Sequence, residues 1–226
     1  MAAARDLAGS DEHVVCLAGD AAFTCGPTLE ALNNISEATK RFILILNDNE
    51  WSIDRNVGAV AKYFNKVTTS KTYHDLHDKA TSLIEKVGGK HVLRFASRIE
   101  ESAKHVFLPS RFFEEVGLHY YGPIDGHDIP TLLRTFEFLK EQNEPVVLHV
   151  ITEKGKGYDP AIADPGKFHG LGAYKIATGE TAAGKHPTYS QIFARTVTNF
   201  ARKDKRVCAI TAAMPGGTGL SVFKKE

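Results

Sequence analysis

The chain has 226 residues, 42% hydrophobic and 24% charged, and its 28 Lys and Arg against 27 Asp and Glu leave a formal charge of +1. That length allows one good-sized core with a second small unit, and the scattered basic residues argue against the cationic stripe of a nucleic-acid groove. No stretch approaches the roughly 18 apolar residues of a membrane span, and the N-terminal MAAARDLAGSDEH lacks a hydrophobic signal run, so neither membrane insertion nor secretion is expected. Cys16, Cys25 and Cys208 form no CxxC pair, and two of them sit in apolar, strand-like stretches. They read as small buried thiols in a reduced compartment, which makes the cytoplasm the expected location.

In chain order, Ala2 to Leu7 read as the last turns of a helix ended by Gly9, so the chain is expected to begin within a domain. HVVCLAG at 13–19, RFILILND at 41–48 and PVVLHVIT at 145–152 are continuous apolar runs rich in Val and Ile, the pattern of central parallel strands covered on both faces. Between the first two, PTLEALNNISEATK predicts a helix with Leu29, Leu32 and Ile35 three residues apart and Pro27 in its first turn, where a missing N–H is harmless. The stretch 54–110 mixes aromatic and charged residues and reads as a helical insertion that includes 71–87. At 128–143, Asp128 is the natural N-cap of a helix with Leu132, Leu133, Phe136 and Leu139 on one stripe. This alternation predicts an α/β fold with a doubly wound, mainly parallel sheet and sites at the carboxyl ends of its strands.

From Gly155 to about Pro187, Gly, Pro and Ala dominate, and the stretch reads as a site loop followed by a linker. Beyond it, TYSQIFARTVTNFARKD is an amphipathic helix and RVCAITAAM at 206–214 a strand, the start of a second α/β domain. The expected organisation is a domain over 1–175, a linker over 176–187 and the beginning of another domain over 188–226.

Chemistry concentrates at Asp20, in GDAA, and in LNDNEWSI at 46–53. Both segments end predicted strands. If the strands are neighbours, Asp20 and Asn49 emerge side by side as oxygen donors of the kind Mg²⁺ prefers, with phosphate oxygens and water completing the shell. A helix starting near Thr24 would add free N–H groups for those phosphates. The alternative is that Asp20 caps a turn and NDN is a polar loop. In TEKGKGY at 152–158, Lys154 and Lys156 alternate with glycines, either as a phosphate or cofactor cradle or as a solvated turn. GKFHG at 166–170 is either a flexible cover anchored by Phe168 or linker. His127 can be read as a base because it titrates near neutrality, although its place between Gly126 and the Asp128 cap favours a structural role in a turn. His13, His105, His119 and His149 have no carboxylate or cysteine partner at ligand spacing and read as packing or surface residues. No Gly-x-Ser-x-Gly elbow, Walker loop or HExxH helix occurs.

GDAAFTCGPTLEALNN followed by ILILNDNEWSIDRNVGAV resembles the thiamine diphosphate motif of the 1-deoxy-D-xylulose-5-phosphate synthase family, transketolase-like enzymes of isoprenoid precursor synthesis. The likeness continues in FFEEVGLHYYGPIDGHD at 112–128, TEKGKGYDPAIADPGKFHG at 152–170, and TYSQIFARTVTNFARKDKRVCAITAAMPGGTG at 188–219. It implies a thiamine diphosphate-binding fold, with 188–226 opening a pyrimidine-binding domain. It also implies Mg²⁺ held by Asp20, Asn49 and the main-chain carbonyl of Trp51, with Gly19, Ala21 and Ala22 against the diphosphate and Lys154 near the cofactor. The implied reaction decarboxylates pyruvate and transfers the two-carbon unit to D-glyceraldehyde 3-phosphate, in a homodimer or in association with further domains, without membrane or nucleic acid. The cofactor carries the carbanion chemistry.

The chain departs from the family pattern in three ways. Gly-Asp-Gly is Gly-Asp-Ala, so the Ala21 methyl is expected to crowd the diphosphate or exclude a positive φ. The methionine after NDNE is Trp51, a change a carbonyl ligand can survive. The family's preceding histidine-bearing region, and the later domain with its activating glutamate and phosphate-binding basic residues, lie outside this sequence, so little or no activity is expected of this polypeptide alone. Two classes stay open: a thiamine diphosphate transferase or segment of one, and a non-catalytic association or regulatory module. Another transketolase-like enzyme is the alternative within the first class.

Overall fold

The computed structural model describes residues 1–52, 56–68, 109–181, 186–212 and 214–226. The chain divides into two compact units, Met1–Glu50 with Val57–Thr152, and Trp51–Asn56 with Glu153–Glu226. In the first unit the order is α1 (Ala2–Ala8), β1 (Val14–Gly19), a 3-10 turn (Asp20–Thr24), α2 (Gly26–Ala38), β2 (Phe42–Asp48), α3 (Ala59–Thr68), α4 (Pro109–Glu115), β3 (His119–Asp125), α5 (Ile129–Lys140) and β4 (Val146–Ile151). The expected helix within 71–87 lies outside the described residues.

The four strands form one parallel sheet in the order β1-β2-β4-β3. Alternation along β2 and β4 supplies a core to each face, as a doubly wound sheet requires. Leu44, Leu46 and Val147 pack with Phe23, Leu32, Phe113 and Leu118 on one side, and Ile43, Val146, Leu148 and Val150 pack with Leu139 on the other. The β1-to-β2 crossover runs one way along the sheet and the β3-to-β4 crossover returns the other way. The β2-to-β3 crossover continues in the first direction past β4, so the chain turns back at β3, and open α/β sheets place their ligands outside the carboxyl ends of the strands.

β1 differs from the expected doubly covered strand: it lies at the edge of the sheet, and Val15, Cys16 and Leu17 are exposed. An apolar run reports that a strand is buried somewhere in the family of possible sheets, not which place it occupies in the order. The thiols are corrected with it, because Cys16, Cys25 and Cys208 are all exposed. β3 is a strand that the apolar-run pattern did not reveal. Gly122 and Pro123 interrupt it, the register shifts between Tyr121 and Ile124, and a proline is tolerated there because β3 is the opposite edge.

The helices follow their local signals more closely. Gly9 ends α1 in the left-handed conformation at φ 67. In α2, Leu32 is buried while Leu29 is exposed, and in α5 Leu139 is buried while Leu133 is exposed, so each stripe is narrower than its apolar spacing suggested. Asp128 caps α5 by accepting the Thr131 N–H at 3.1 Å. The Thr131 hydroxyl and then this N–H hold the Asp128 carboxyl below its ordinary value of 3.8. A lowered folded value means stability that is present above pH 3.8 and lost as pH falls through the folded value. Asp128→Ala is expected to cost about 1 kcal/mol at neutral pH. Urea titrations at decreasing pH should show the gap between wild type and variant narrowing only in that acid range.

The second unit contains α6 (Asp159–Ala163), a 3-10 turn (Lys167–His169), α7 (Tyr189–Lys203) and α8 (Leu220–Lys224). α7 opens with a reciprocal capping box, Gln191 N–H to Thr188 Oγ1 at 3.2 Å and Thr188 N–H to Gln191 Oε1 at 2.8 Å. The expected strand at 206–214 is not formed: the described residues there are irregular and Ile210 is 94% exposed. A strand requires a hydrogen-bonded neighbour, and no described segment pairs with this one. Of the expected loop and linker at 155–187, the described residues 155–181 are more ordered than their composition suggested. Phe168 stands edge-on to Tyr158 and Tyr174 at 5.5 and 5.4 Å, and Tyr174 bridges Thr181. Three rings at irregular spacing make a cluster that neither period reveals. Among the described residues no helix is long and apolar enough to cross a membrane.

Candidate functional site

The first unit brings the ends of β1 and β2 together. Gly19 lies opposite Asn47 in the parallel register, so Asp20 leaves β1 beside the strand end that continues through Asp48 into Asn49. Asp20 opens the 3-10 turn and is buried, with 6% of its surface exposed. The turn continues into α2, which begins at Gly26, two residues later than expected, and whose N-terminus receives no side-chain cap.

Ala21 and Ala22 lie inside the 3-10 turn. Ala21 O accepts the Thr24 hydroxyl at 2.8 Å and Ala22 O accepts the Cys25 N–H at 3.1 Å. The only described non-glycine residues at positive φ are Arg41 and Glu50, so the Ala21 methyl meets no left-handed backbone requirement. Gly19 has an ordinary φ of −74, and a Cβ built on it would meet only Asn47 O, at 4.0 Å. The chain's own packing therefore makes no demand for glycine at 19, and the bare backbone beside Asp20 leaves room for close approach from outside.

Beyond β2, Asp48 is fully buried and organises the turn. Its Oδ1 accepts the Glu50 N–H at 3.2 Å and its Oδ2 lies 3.1 Å from His149 Nε2. His149 is equally buried, and its Nδ1 is 2.6 Å from the Tyr120 hydroxyl. Asn47 Oδ1 accepts the Thr152 hydroxyl at 2.7 Å, and Asp48 O accepts the Thr152 N–H at 2.9 Å. His149 and His119, which have no carboxylate partner at ligand spacing in the sequence, acquire distant ones in the fold. Asp48 reaches His149 from 101 positions away, and Glu144 makes a short contact with His119. Pairing of β2 with β4 is what joins Asp48 to His149, and sequence spacing carries no trace of it.

His127 is exposed in the turn between β3 and α5, with its backbone N–H donating to Asp125 Oδ1 at 2.8 Å. In the second unit, Lys154 Nζ donates to the Ser52 carbonyl, lies 3.1 Å from His169 Nδ1, and stands 5.6 Å from the centre of the Trp51 ring. His169 thus joins Lys154 and Trp51, although sequence reading singled out only its neighbour Phe168. Lys156 pairs with Glu153 at 2.8 Å on the surface.

Among the described residues no three His, Cys, Asp or Glu side chains gather as a metal cage. A cation in the first unit would have one carboxylate, Asp20, and one amide oxygen, Asn49, and would take its remaining oxygens from backbone, ligand and water. That donor set suits Mg²⁺, which keeps few protein ligands and binds phosphate oxygens.

A family model described as 1-deoxy-D-xylulose-5-phosphate synthase matches residues 1–152. A 1-deoxy-D-xylulose-5-phosphate synthase from Acidobacterium capsulatum is 55% identical over 224 residues, 99% of this chain and 36% of the relative. One from Methylacidiphilum infernorum is 56% identical over 226 residues, 100% of the chain and 36% of the relative, and one from Clostridium kluyveri is 44% identical over 228 residues, with the same coverage. The chain thus spans 36% of the length of these curated relatives. With the parallel sheet and the matched region coinciding over the first unit, the chain belongs to the 1-deoxy-D-xylulose-5-phosphate synthase family.

Proposed function

We propose that this chain carries the thiamine diphosphate and Mg²⁺ site of a 1-deoxy-D-xylulose-5-phosphate synthase. In that reading the whole enzyme is a cytoplasmic, homodimeric transferase that decarboxylates pyruvate and passes the two-carbon unit to D-glyceraldehyde 3-phosphate for isoprenoid precursors. The observation that carries the reading is the position of Asp20 and Asn49 at the carboxyl ends of adjacent parallel strands.

Thiamine diphosphate, when bound, supplies the carbanion chemistry. The chain's own residues bind and orient it. Asp20 and Asn49 give the cation its protein oxygens, and the resemblance adds the main-chain carbonyl of Trp51. Gly19, Ala21 and Ala22 offer backbone without bulk to the diphosphate, and the uncapped N-terminus of α2 offers N–H donors. The resemblance also adds Lys154 as a cation near the cofactor. His127 is assigned the structural role, since its backbone N–H ties the turn before α5 to Asp125.

A buried carboxylate repels a diphosphate unless a cation lies between them. Calorimetric titration of the purified chain with thiamine diphosphate is therefore expected to show saturable binding with Mg²⁺ and none without it. A folded sample that gives no saturation to millimolar cofactor in Mg²⁺ overturns the reading for this chain. Equal binding in the presence of a chelator overturns the assignment of Asp20 and Asn49 as metal ligands.

A further inference from the structure

We infer that His149 is the residue that positions the Asp48–Glu50 turn, and through it the Asn49 amide, for metal and diphosphate; the inference rests on the proposed reading of Asn49 as a ligand. His149 and Asp48 are each 0% exposed, one on β4 and the other at the end of β2. Their contact, 3.1 Å between Nε2 and Oδ2, joins the two central strands of the sheet.

A carboxylate only accepts, so the contact with Asp48 is donated by the His149 Nε2–H, and the Tyr120 hydroxyl holds the other ring nitrogen at 2.6 Å from Nδ1. Asp48 then accepts from His149 on Oδ2 and from the Glu50 N–H on Oδ1, at 3.2 Å. The carboxylate spans Asn49 from the residue before it to the residue after it. Glu50 sits at φ 62, a left-handed conformation that a non-glycine residue keeps only when its surroundings hold it. The Asn47 amide, tied to the Thr152 hydroxyl at 2.7 Å, holds the preceding position. Residues 47, 48 and 50 are thus each held by a named polar contact, and Asn49 inherits their geometry.

Packing alone gives no reason for this arrangement. A well-packed apolar pair often serves stability as well as a buried polar pair, whereas the Asp48–His149 contact fixes the direction of a side chain. Here the geometry imposed is that of the strand end from which Asn49 projects.

The test uses the whole 226-residue chain, with Mn²⁺ as the metal probe. Free Mn²⁺ is followed by electron paramagnetic resonance at a fixed, saturating concentration of thiamine diphosphate. Amide exchange of the Glu50 segment is measured without metal or cofactor. His149→Leu is expected to weaken Mn²⁺ uptake at least tenfold and to speed Glu50 exchange at least tenfold. His149→Gln, which restores an N–H near the Nε2 position, should stay within about threefold of wild type in both. Tyr120→Phe keeps the ring packing, loses the hydroxyl partner of Nδ1, and should shift both readings in the direction of His149→Leu; it also serves if the leucine variant does not fold. Leu139→Ala, buried against the other face of the sheet, should lower the melting temperature and leave Mn²⁺ affinity unchanged.

Wild-type Mn²⁺ affinity in His149→Leu, a glutamine variant no better than leucine, or unchanged Glu50 exchange each overturns the inference. If wild type takes up no Mn²⁺ with thiamine diphosphate, the site reading fails. The exchange measurement then decides alone whether His149 holds the turn.

Discussion

Asp20→Asn is expected to weaken Mg²⁺-dependent thiamine diphosphate binding by more than about 100-fold, beyond the roughly 10–100-fold range typical of losing a supporting contact. The substitution keeps the side-chain volume and one oxygen and removes only the negative charge. Asp20 is the single carboxylate in the proposed donor pair, so its charge is what draws the cation to the end of β1 and allows a diphosphate to approach. The side chain is buried, and burial strengthens that electrostatic contribution by thinning the water that would screen it. Calorimetry against thiamine diphosphate with Mg²⁺ measures the loss, and thermal unfolding of the metal-free variant shows that the fold persists. Retention of wild-type affinity by Asp20→Asn would remove Asp20 from the ligand set.

Phe113→Ala is expected to cost about 3–5 kcal/mol, the range for truncating a buried aromatic. Phe113 is fully buried, stacks on Tyr120 at 5.8 Å, and meets Phe23 and Phe112 edge-on at 5.8 and 5.2 Å. It joins α4, the 3-10 turn that begins at Asp20, and the edge strand β3 into one core. Removing the ring leaves a cavity lined by aromatic groups that cannot all close over it. Against a total stability on the order of 5–15 kcal/mol, the loss brings the first unit near its unfolding threshold. Urea unfolding followed by circular dichroism measures it, with Leu133→Ala as the control. Leu133 is 62% exposed, and its truncation should stay within about 0.5 kcal/mol. A cost below about 1 kcal/mol for Phe113→Ala would show that the ring is not central to the core.

The two core strands were legible because their signal is local. Ile43 to Leu46 is a continuous apolar run and Val146 to Val150 is one broken only by His149, and a strand flanked by helices on both faces has little freedom to be otherwise. Caps were legible for the same reason: Asp128 with Thr131, and Gly9 at the end of α1, satisfy backbone groups within a few residues. β3 was not, since Gly122 and Pro123 contradict strand propensity and only an edge position tolerates them. The segment at 206–214 was misread in the opposite sense, because apolar β-branched residues signal a willingness to pair and cannot supply the partner.

What the sequence determined by itself was the α/β alternation, the three apolar-run strands, and the presence of Asp20 and Asn49 in motifs resembling one enzyme family. The tertiary structure alone decided the strand order that sets β1 and β3 at the edges, the exposure of Cys16, and the union of Asp48 with His149 and Tyr120. The division has a physical cause. Propensity, capping and apolar periodicity are properties of neighbours along the chain, whereas a buried hydrogen bond between residues 101 positions apart exists only after two strands have paired.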